Sequence, residues 1–338
     1  MIRLYRRLRA AGVLGLNDRN ANFILRHNPR RLYPLVDNKI QCKRRLQQHG
    51  IAVPELLGEI SSQYEAGHLE RRLAEFDQFV IKPACGSGGD GIVVIMARQR
   101  NGWVSGSGRI LSLTDLQYHV AGILAGMYSL GGQRDSAMLE ALIHPDPVLK
   151  SVAPEGVPDI RIIVYRGIPV MAMMRLPTRR SGGKANLHQG AIGTGVDLAT
   201  GTTLKAVMNS SVVDQHPDTS ASIEAFQLPD WQELMLMAAR CYNAVPLGYL
   251  GVDLVLDRDH GPLVLEMNAR PGLAIQIANG SGLRSRLSLI DRLPDPETLN
   301  PERRVELAIQ YARAGWQEPK QAQDTRPRAA ASTSGCSS

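Results

Sequence analysis

The sequence predicts an α+β fold with a short basic helical segment at its N-terminus, and three patterns carry that prediction. Apolar, β-rich runs pair off around Gly-containing turns, stretches with helical periodicity separate them, and arginines alternate with apolar residues over the first turns. The 338 residues amount to roughly two domains or one large composite fold. A hydrophobic fraction of 43% supplies a sizeable core, which excludes a chain disordered throughout. No apolar run reaches the roughly 18 residues of a spanning helix. Val120 to Leu130 comes nearest and is interrupted by Gly122 and Gly126.

Taken in order, Ile2, Tyr5 and Leu8 recur at helical spacing with Arg between them and predict a basic amphipathic helix. Asp37 reads as the N-cap of a helix from about Asn38 to His49, stopped by Gly50. Phe79-Val80-Ile81 and Ile92 to Ile95 predict strands on either side of a glycine cluster. Leu113 to Tyr128 reads as a helix opened by Ser112 or Thr114, and Ala137-Met138-Leu139 as a short buried strand before a Pro-rich connector from His144 to Pro158. Ile160 to Tyr165 and Val170 to Met174 predict a strand pair turned at Arg166-Gly167. Trp231 to Cys241 reads as a helix, Leu250 to Leu256 with Leu263 to Met267 as a second hairpin, and Glu302 to Ala314 as a last helix. The chain then divides into a basic N-terminal segment (1–36), a lid and central unit (37–135), a C-terminal unit holding the metal and substrate site (136–317), and a polar, Pro/Ser/Ala-rich tail (318–338) expected to be disordered.

The net charge of +7 is unevenly spread. Residues 1–45 hold twelve Lys and Arg against only Asp18 and Asp37, a local charge of +10 that leaves −3 for the rest. Such an end suits an anionic membrane surface, an acidic or phosphorylated partner, or nucleic acid, against the plain alternative of a solvated helix face. Sparse aromatic residues among these arginines argue against specific nucleic-acid binding. Cys42, Cys85, Cys241 and Cys336 show neither C-x-x-C spacing nor a neighbouring His cluster, which speaks against a zinc site or a disulfide framework. The start of the chain lacks the apolar stretch of a secretory signal. The expectation is a cytoplasmic protein, with the inner face of a membrane as a docking place for its basic end.

Gly86-Ser87-Gly88-Gly89-Asp90-Gly91 satisfies G-x-G-x-x-G, but strand-like residues follow it as well as precede it. That excludes a dinucleotide turn, which needs a helix after the glycines. No H-R-D or D-F-G sequence follows to make it a kinase loop. A strand-loop-strand of this composition is either a plain glycine hairpin or a lid over phosphates. Lys82, at the end of an apolar strand, favours the lid, because a buried ammonium needs an anion. Farther on, Glu266 and Asn268 project from one side of a strand whose partner carries Asp253. Two carboxylates and a carboxamide are hard oxygen donors suited to Mg²⁺. The alternative is salt bridges from Asp253 and Glu266 to Arg270 or Arg175.

In order, these segments resemble the ATP-grasp superfamily. They are Asp37-Asn38-Lys39 with Gly50 and Pro54 after it, Val80-Ile81-Lys82-Pro83, the glycine loop, Met138 to Ile143, Gly251-Val252-Asp253, and Leu265 to Gly272. Asp159-Ile160-Arg161, Met174-Arg175 and Ala185 to Gly190 are similar to the alpha-L-glutamate ligases that extend a ribosomal protein's C-terminus. Asn38 is an extra residue where Asp-Lys is usual, and Lys184 stands where those ligases carry Arg. The stretch from Ile143-His144-Pro145 to Arg161 also resembles ATP-grasp proteins associated with sugar transfer.

The resemblance implies an ATP-grasp fold of two α/β subdomains clamping ATP, and a carboxylate–amine ligase working through an acyl phosphate. By that resemblance Lys39 and Lys82 would hold the phosphates beneath the loop of Gly86, Ser87, Gly88, Gly89 and Gly91. Glu140, Ala141 and Ile143 would contact adenine, largely through backbone. Asp253, Glu266 and Asn268 would bind Mg²⁺, or Mn²⁺ in its place, and Arg161, Arg175 and Asn186 would neutralise the carboxylate and the acyl-phosphate transition state. The implied partners are ATP with small carboxylate and amine substrates, glutamate or another amino acid among them, or a peptide or protein acceptor. The alternatives are a kinase or an envelope-sugar activity on the same fold, and a non-catalytic nucleotide-binding module.

Overall fold

Strands β1 (Leu56–Ile60), β2 (Phe79–Pro83), β3 (Val93–Gln99), β4 (Gly102–Ser105), β5 (Ile110–Leu111) and β6 (Ala137–Glu140) form one sheet in the order β1-β6-β2-β3-β4-β5. The second sheet holds β7 (Asp159–Tyr165), β8 (Ile168–Leu176), β9 (Ile192–Val196), β10 (Thr203–Met208), β11 (Ser211–Val213), β12 (Tyr249–Asp257) and β13 (Gly261–Asn268), in the order β11-β10-β9-β8-β7-β12-β13. The pairings are antiparallel, as hairpin-connected strands require. The longer helices are α1 (Ile2–Ala10), α2 (Lys39–Gln48), α3 (Leu113–Leu124), α4 (Trp231–Ala244) and α5 (Pro301–Arg313). This computed structural model describes residues 2–86 and 88–317, so the expected disordered tail and Ser87 lie outside the described residues.

The elements form where local chemistry asks for them, with adjustments at two helix ends. Asn38, not Asp37, caps α2: its side chain accepts from the Gln41 amide at 3.0 Å. Asp37 instead closes the preceding turn, Pro34–Asp37, and pairs with Arg270 at 3.2 Å. Ser112 opens α3 through a reciprocal cap with Asp115. That helix ends at Leu124, short of Tyr128, because Gly126 takes φ +84° and a Cβ there would lie 2.3 Å from the Gln133 carbonyl oxygen.

Each sheet has its own core. Ile60, Phe79, Ile81, Leu116 and Val120 fill the first unit. The second is larger and joins β7, β8 and β12 to α4 and α5 through residues such as Ile162, Met171, Leu234 and Ala308. Leu14, Phe23 and Ile24 belong to that second core, so the N-terminal segment is integrated with the C-terminal unit from Leu14 onward. Buried Asn28 is its clasp: its side chain donates to the Tyr249 and Ala269 carbonyls at 2.8 and 3.1 Å and accepts from the Tyr249 amide at 2.8 Å. The expected boundary at 135/136 also needs correction. β6 lies between β1 and β2, so Ala137–Glu140 is part of the first unit, drawn there by pairing with both neighbours. Among the described residues no helix is long and apolar enough to cross a membrane.

Losing three buried hydrogen bonds strands backbone groups of β12 and of Ala269 away from water. Asn28→Ala is expected to lower the unfolding free energy by roughly 2–4 kcal/mol, measured by urea denaturation.

Candidate active site

Strand register builds the polar face of the second sheet. Arg161 of β7 stands opposite Asp253 of β12, and Asp253 opposite Glu266 of β13, so one row crosses three strands. In the adjacent rows Asp159 pairs with Arg175 of β8, and Gly251 with Asn268. Residues paired directly across antiparallel strands share a face, so all six polar side chains point the same way. The opposite face carries Ile160, Ile162 and Val252, fully buried in the core.

The electrostatics follow from burial. Asp253 is 1% exposed, and a lone carboxylate there would cost several kcal/mol. Arg161 grips it with two bonds, Nε to Oδ1 at 2.7 Å and Nη2 to Oδ2 at 2.5 Å, and Arg175 Nη2 adds a third at 2.9 Å. Arg175 also holds both oxygens of Asp159. Burial alone would raise the Asp253 pKa, but Arg161 and Arg175 outweigh it and hold the carboxyl well below the usual range. For Asp159 burial wins, helped by the Asp253 charge, and the pKa is raised to about 6 despite Arg175.

The first sheet supplies the facing cations. Lys82 of β2 lies diagonally from Glu140 of β6 on one face of the sheet, and its ammonium meets Glu140 Oε1. The other oxygen, Oε2, pairs with Lys43 of α2 at 2.8 Å. Glu140 is 1% exposed, and burial would raise its pKa, yet the two ammoniums keep it below the ordinary value. One helical turn before Lys43, Lys39 sends its ammonium to the Gly86 carbonyl at 2.5 Å and lies 3.7 Å from Glu266. Helix α2 therefore reaches the glycine loop, the first sheet and the acidic hairpin at once.

That loop is a true hairpin, since β2 and β3 pair on either side of it. Gly91 takes φ +73°, and a Cβ there would sit 2.5 Å from the Tyr128 ring. The Gly91 carbonyl accepts from His119 Nε2 of α3 at 2.9 Å, which makes Nε2 the protonated nitrogen. Before the loop, Asp135 accepts the Cys85 amide with both oxygens, at 3.0 and 3.1 Å. On the far side, Asn186 donates to the Gly88 carbonyl at 3.3 Å, and Lys184 lies 4.0 Å from Asp90.

The expected residues thus fall into groups. Arg161, Arg175, Asp253, Glu266 and Asn268 come together on one face, with Lys39 against it. Asn186 contacts the glycine loop instead of the arginines. Of the segment expected at adenine, Glu140 turns its side chain inward to the lysines. The Ala141 amide bonds Glu55 at 3.0 Å, and Ile143 packs on Val255 and Leu263. Lys43, Asp135, Asp159 and His119 were not among the expected site residues. Lys43 carried a signal, its four-residue spacing from Lys39 on one helix face. Asp159 carried one too, its two-residue spacing from Arg161 on one strand, whereas Asp135 and His119 reach the site only through tertiary contacts.

The residues suit a divalent cation unequally. Asn268 Nδ2 lies 3.3 Å from both Asp253 Oδ2 and Glu266 Oε1, so three oxygen-bearing heads converge. Asp253 Oδ2 already receives three donors, whereas Oδ1 receives one and keeps a lone pair. Glu266 and Asn268 are therefore the open oxygen donors, and Asp253 is first an anchor for the arginines. Among the described residues no three His, Cys, Asp or Glu side chains could hold a metal ion by themselves. A Mg²⁺ ion held here would need oxygens beyond these carboxylates, such as the Asn268 carboxamide and those of a bound phosphate.

Two antiparallel sheets, with a glycine hairpin from one facing an Arg/Asp/Glu/Asn surface on the other, define an ATP-grasp fold. The sugar-transfer associated ATP-grasp family matches residues 18–292, and the chain belongs to that family. No curated protein matches it. Among solved structures it is similar to the ATP-grasp ligase PsnB complexed with minimal precursor, at 16% identity and a TM-score of 0.43, covering 78% of this chain and 62% of that one. It is also similar to the D-cycloserine synthetase DcsG, at 17% identity, TM-score 0.45, 79% and 73%. A third likeness is to D-alanyl-alanine synthetase A from Vibrio cholerae, at 9% identity, TM-score 0.46, 83% and 66%.

His119 links the glycine hairpin to pH. Burial, partly offset by the bond to Gly91, holds its pKa below 6.5. As pH falls, the unfolded chain takes this proton first, so the His119 contribution to stability is complete above pH 6.5 and declines below it. The stability lost between pH 7.5 and 5.5 in urea titrations is expected to be smaller in His119→Gln than in the natural chain.

Proposed function

We propose that the chain is an ATP- and Mg²⁺-dependent ligase that joins a carboxylate to an amine through an acyl phosphate. The observation that carries this reading is the single face on which Arg161, Arg175, Asp253, Glu266 and Asn268 stand in register beside Lys39. Phosphoryl transfer to a carboxylate brings anions together, so it needs positioned cations more than a base. In this reading a donor carboxylate oxygen attacks the γ-phosphorus, the bond to the β–γ bridging oxygen breaks, and ADP leaves with that electron pair. The amine then attacks the acyl carbon, phosphate leaves with the C–O electrons, and the surplus amine proton passes to solvent.

Lys39 and Lys82 hold phosphates, the Gly86–Gly91 hairpin closes over them, and the Glu140–Ile143 segment borders adenine. Arg161 and Arg175 stabilise the charge that develops on the transferred group, and Asn186 ties its loop to Gly88 above it. Glu266 and Asn268, with the spare lone pair of Asp253 Oδ1, would hold Mg²⁺ or Mn²⁺, whose charge neutralises the β- and γ-oxygens. Asp159-Ile160-Arg161 and the Asn186 loop favour glutamate or another amino acid as a substrate. The family match favours a second reading, a step in sugar transfer on the same fold.

Incubation with MgATP, hydroxylamine and pooled carboxylic acids, following ADP and hydroxamate together, tests the reaction. Hydroxamate with ADP supports the ligase, whereas phosphate transferred to a stable acceptor without free phosphate supports a kinase. Glu266→Ala is expected to lower ADP release by about 100-fold or more; unchanged release overturns the metal assignment.

The basic end fits an anionic membrane face on the cytoplasmic side. Helix α1 has no acidic residue in its first turn, and Arg3, Arg6, Arg7 and Arg9 are exposed. Co-sedimentation with phosphatidylglycerol-containing vesicles should disappear above roughly 0.3 M salt. It should also be lost when these four arginines become glutamates, and binding indifferent to both changes would contradict the docking.

A further inference from the structure

We propose that Lys43 is a positioning residue: by neutralising Glu140 from the buried side, it leaves the Lys82 ammonium available to a nucleotide phosphate. The inference rests on the nucleotide reading above. Three charges meet between α2 and the first sheet. One carboxylate, Glu140, faces two ammoniums, each on its own oxygen. The cluster therefore carries a net +1, and the question is which lysine holds the surplus.

Exposure decides it. The Lys43 side chain is 3% exposed and that of Lys82 is 11%. Lys43 also donates to the Pro54 carbonyl, so its ammonium is held inside the protein by that bond and by the ion pair with Glu140. Its place is set by helix geometry: Ile40, one turn earlier on α2, packs on Met138 and Ala84 of the first unit. Lys39, also one turn earlier, sits at the glycine loop. Lys43 has no route to a ligand, whereas Lys82 ends a strand that leads into the glycine hairpin.

With Lys43 present, a phosphate that draws Lys82 away leaves Glu140 still paired. Without it, Lys82 and Glu140 form a closed neutral pair. A phosphate then has to strip a buried carboxylate of its last cation, which is strongly unfavourable. Lys43 acts on the phosphates through Lys82 and Glu140, and does not touch them.

The test is calorimetric binding of MgATP and of adenosine to the full chain, with melting curves to confirm folding. Lys43→Met should weaken MgATP about tenfold or more, the value of one charge-assisted bond, and leave adenosine unchanged. A purely structural role would weaken both alike. Lys43→Met/Glu140→Gln removes the competing carboxylate and should return MgATP affinity to within about threefold of the natural chain. Equal loss for both ligands, no loss for MgATP, or no recovery in the double variant overturns the inference. If Lys43→Met does not fold, the double variant carries the test, and a tenfold loss in it overturns the inference. A natural chain that binds no MgATP overturns the nucleotide reading itself, a result distinct from all of these.

Discussion

The grip of two guanidiniums on one buried carboxylate is the constraint on which the site depends. Asp253 lies in β12, between β7 and β13, where an unpaired charge is untenable. Arg161 and Arg175 meet it from β7 and β8, and Asp159 balances the second arginine. These pairs hold only while three strands keep their register, because a slip by one residue would send each side chain into the apolar core. The charges that line this face therefore also specify how the sheet is assembled. Asp253 works as structure first, and its remaining lone pair is what it has left to offer a metal.

Helix α2 couples that sheet to the other. Its first turn places Lys39 between the Gly86 carbonyl and Glu266, and its second places Lys43 on Glu140. A shift of α2 would move the cation at the glycine hairpin and the second cation on Glu140 together. The buried triad of Lys43, Glu140 and Lys82 answers the question raised by a lysine at the end of an apolar strand. Its anion is a carboxylate of the same chain, Glu140.

Much of the fold was legible because its signals are local. Alternating apolar runs around Arg166-Gly167 and around Asp257 to Gly261 marked both hairpins of the second sheet, and both are present. The ends of helices were less legible, since capping depends on where the flanking side chains go. Asp37 has the right chemistry for a cap but spends its carboxylate on Arg270, and Asn38 takes the position. The neighbours of β6 were not legible at all. A four-residue apolar strand looks the same in either sheet, and it joined the first because β1 and β2 both had free edges for it.

By itself the sequence determined the order of lysines, glycines, arginines and acids, and the strand alternation that puts Glu266 and Asn268 on one side. Tertiary structure alone decided the partners. It gave Asp253 to Arg161 and Arg175, Glu140 to Lys43 and Lys82, and Asn186 to the glycine hairpin, and it brought in Asp135 and His119. The physical reason is that periodicity fixes the direction of a side chain along its own element, while ionic pairing is settled by burial between elements distant in the chain. There the nearest countercharge wins because water is excluded.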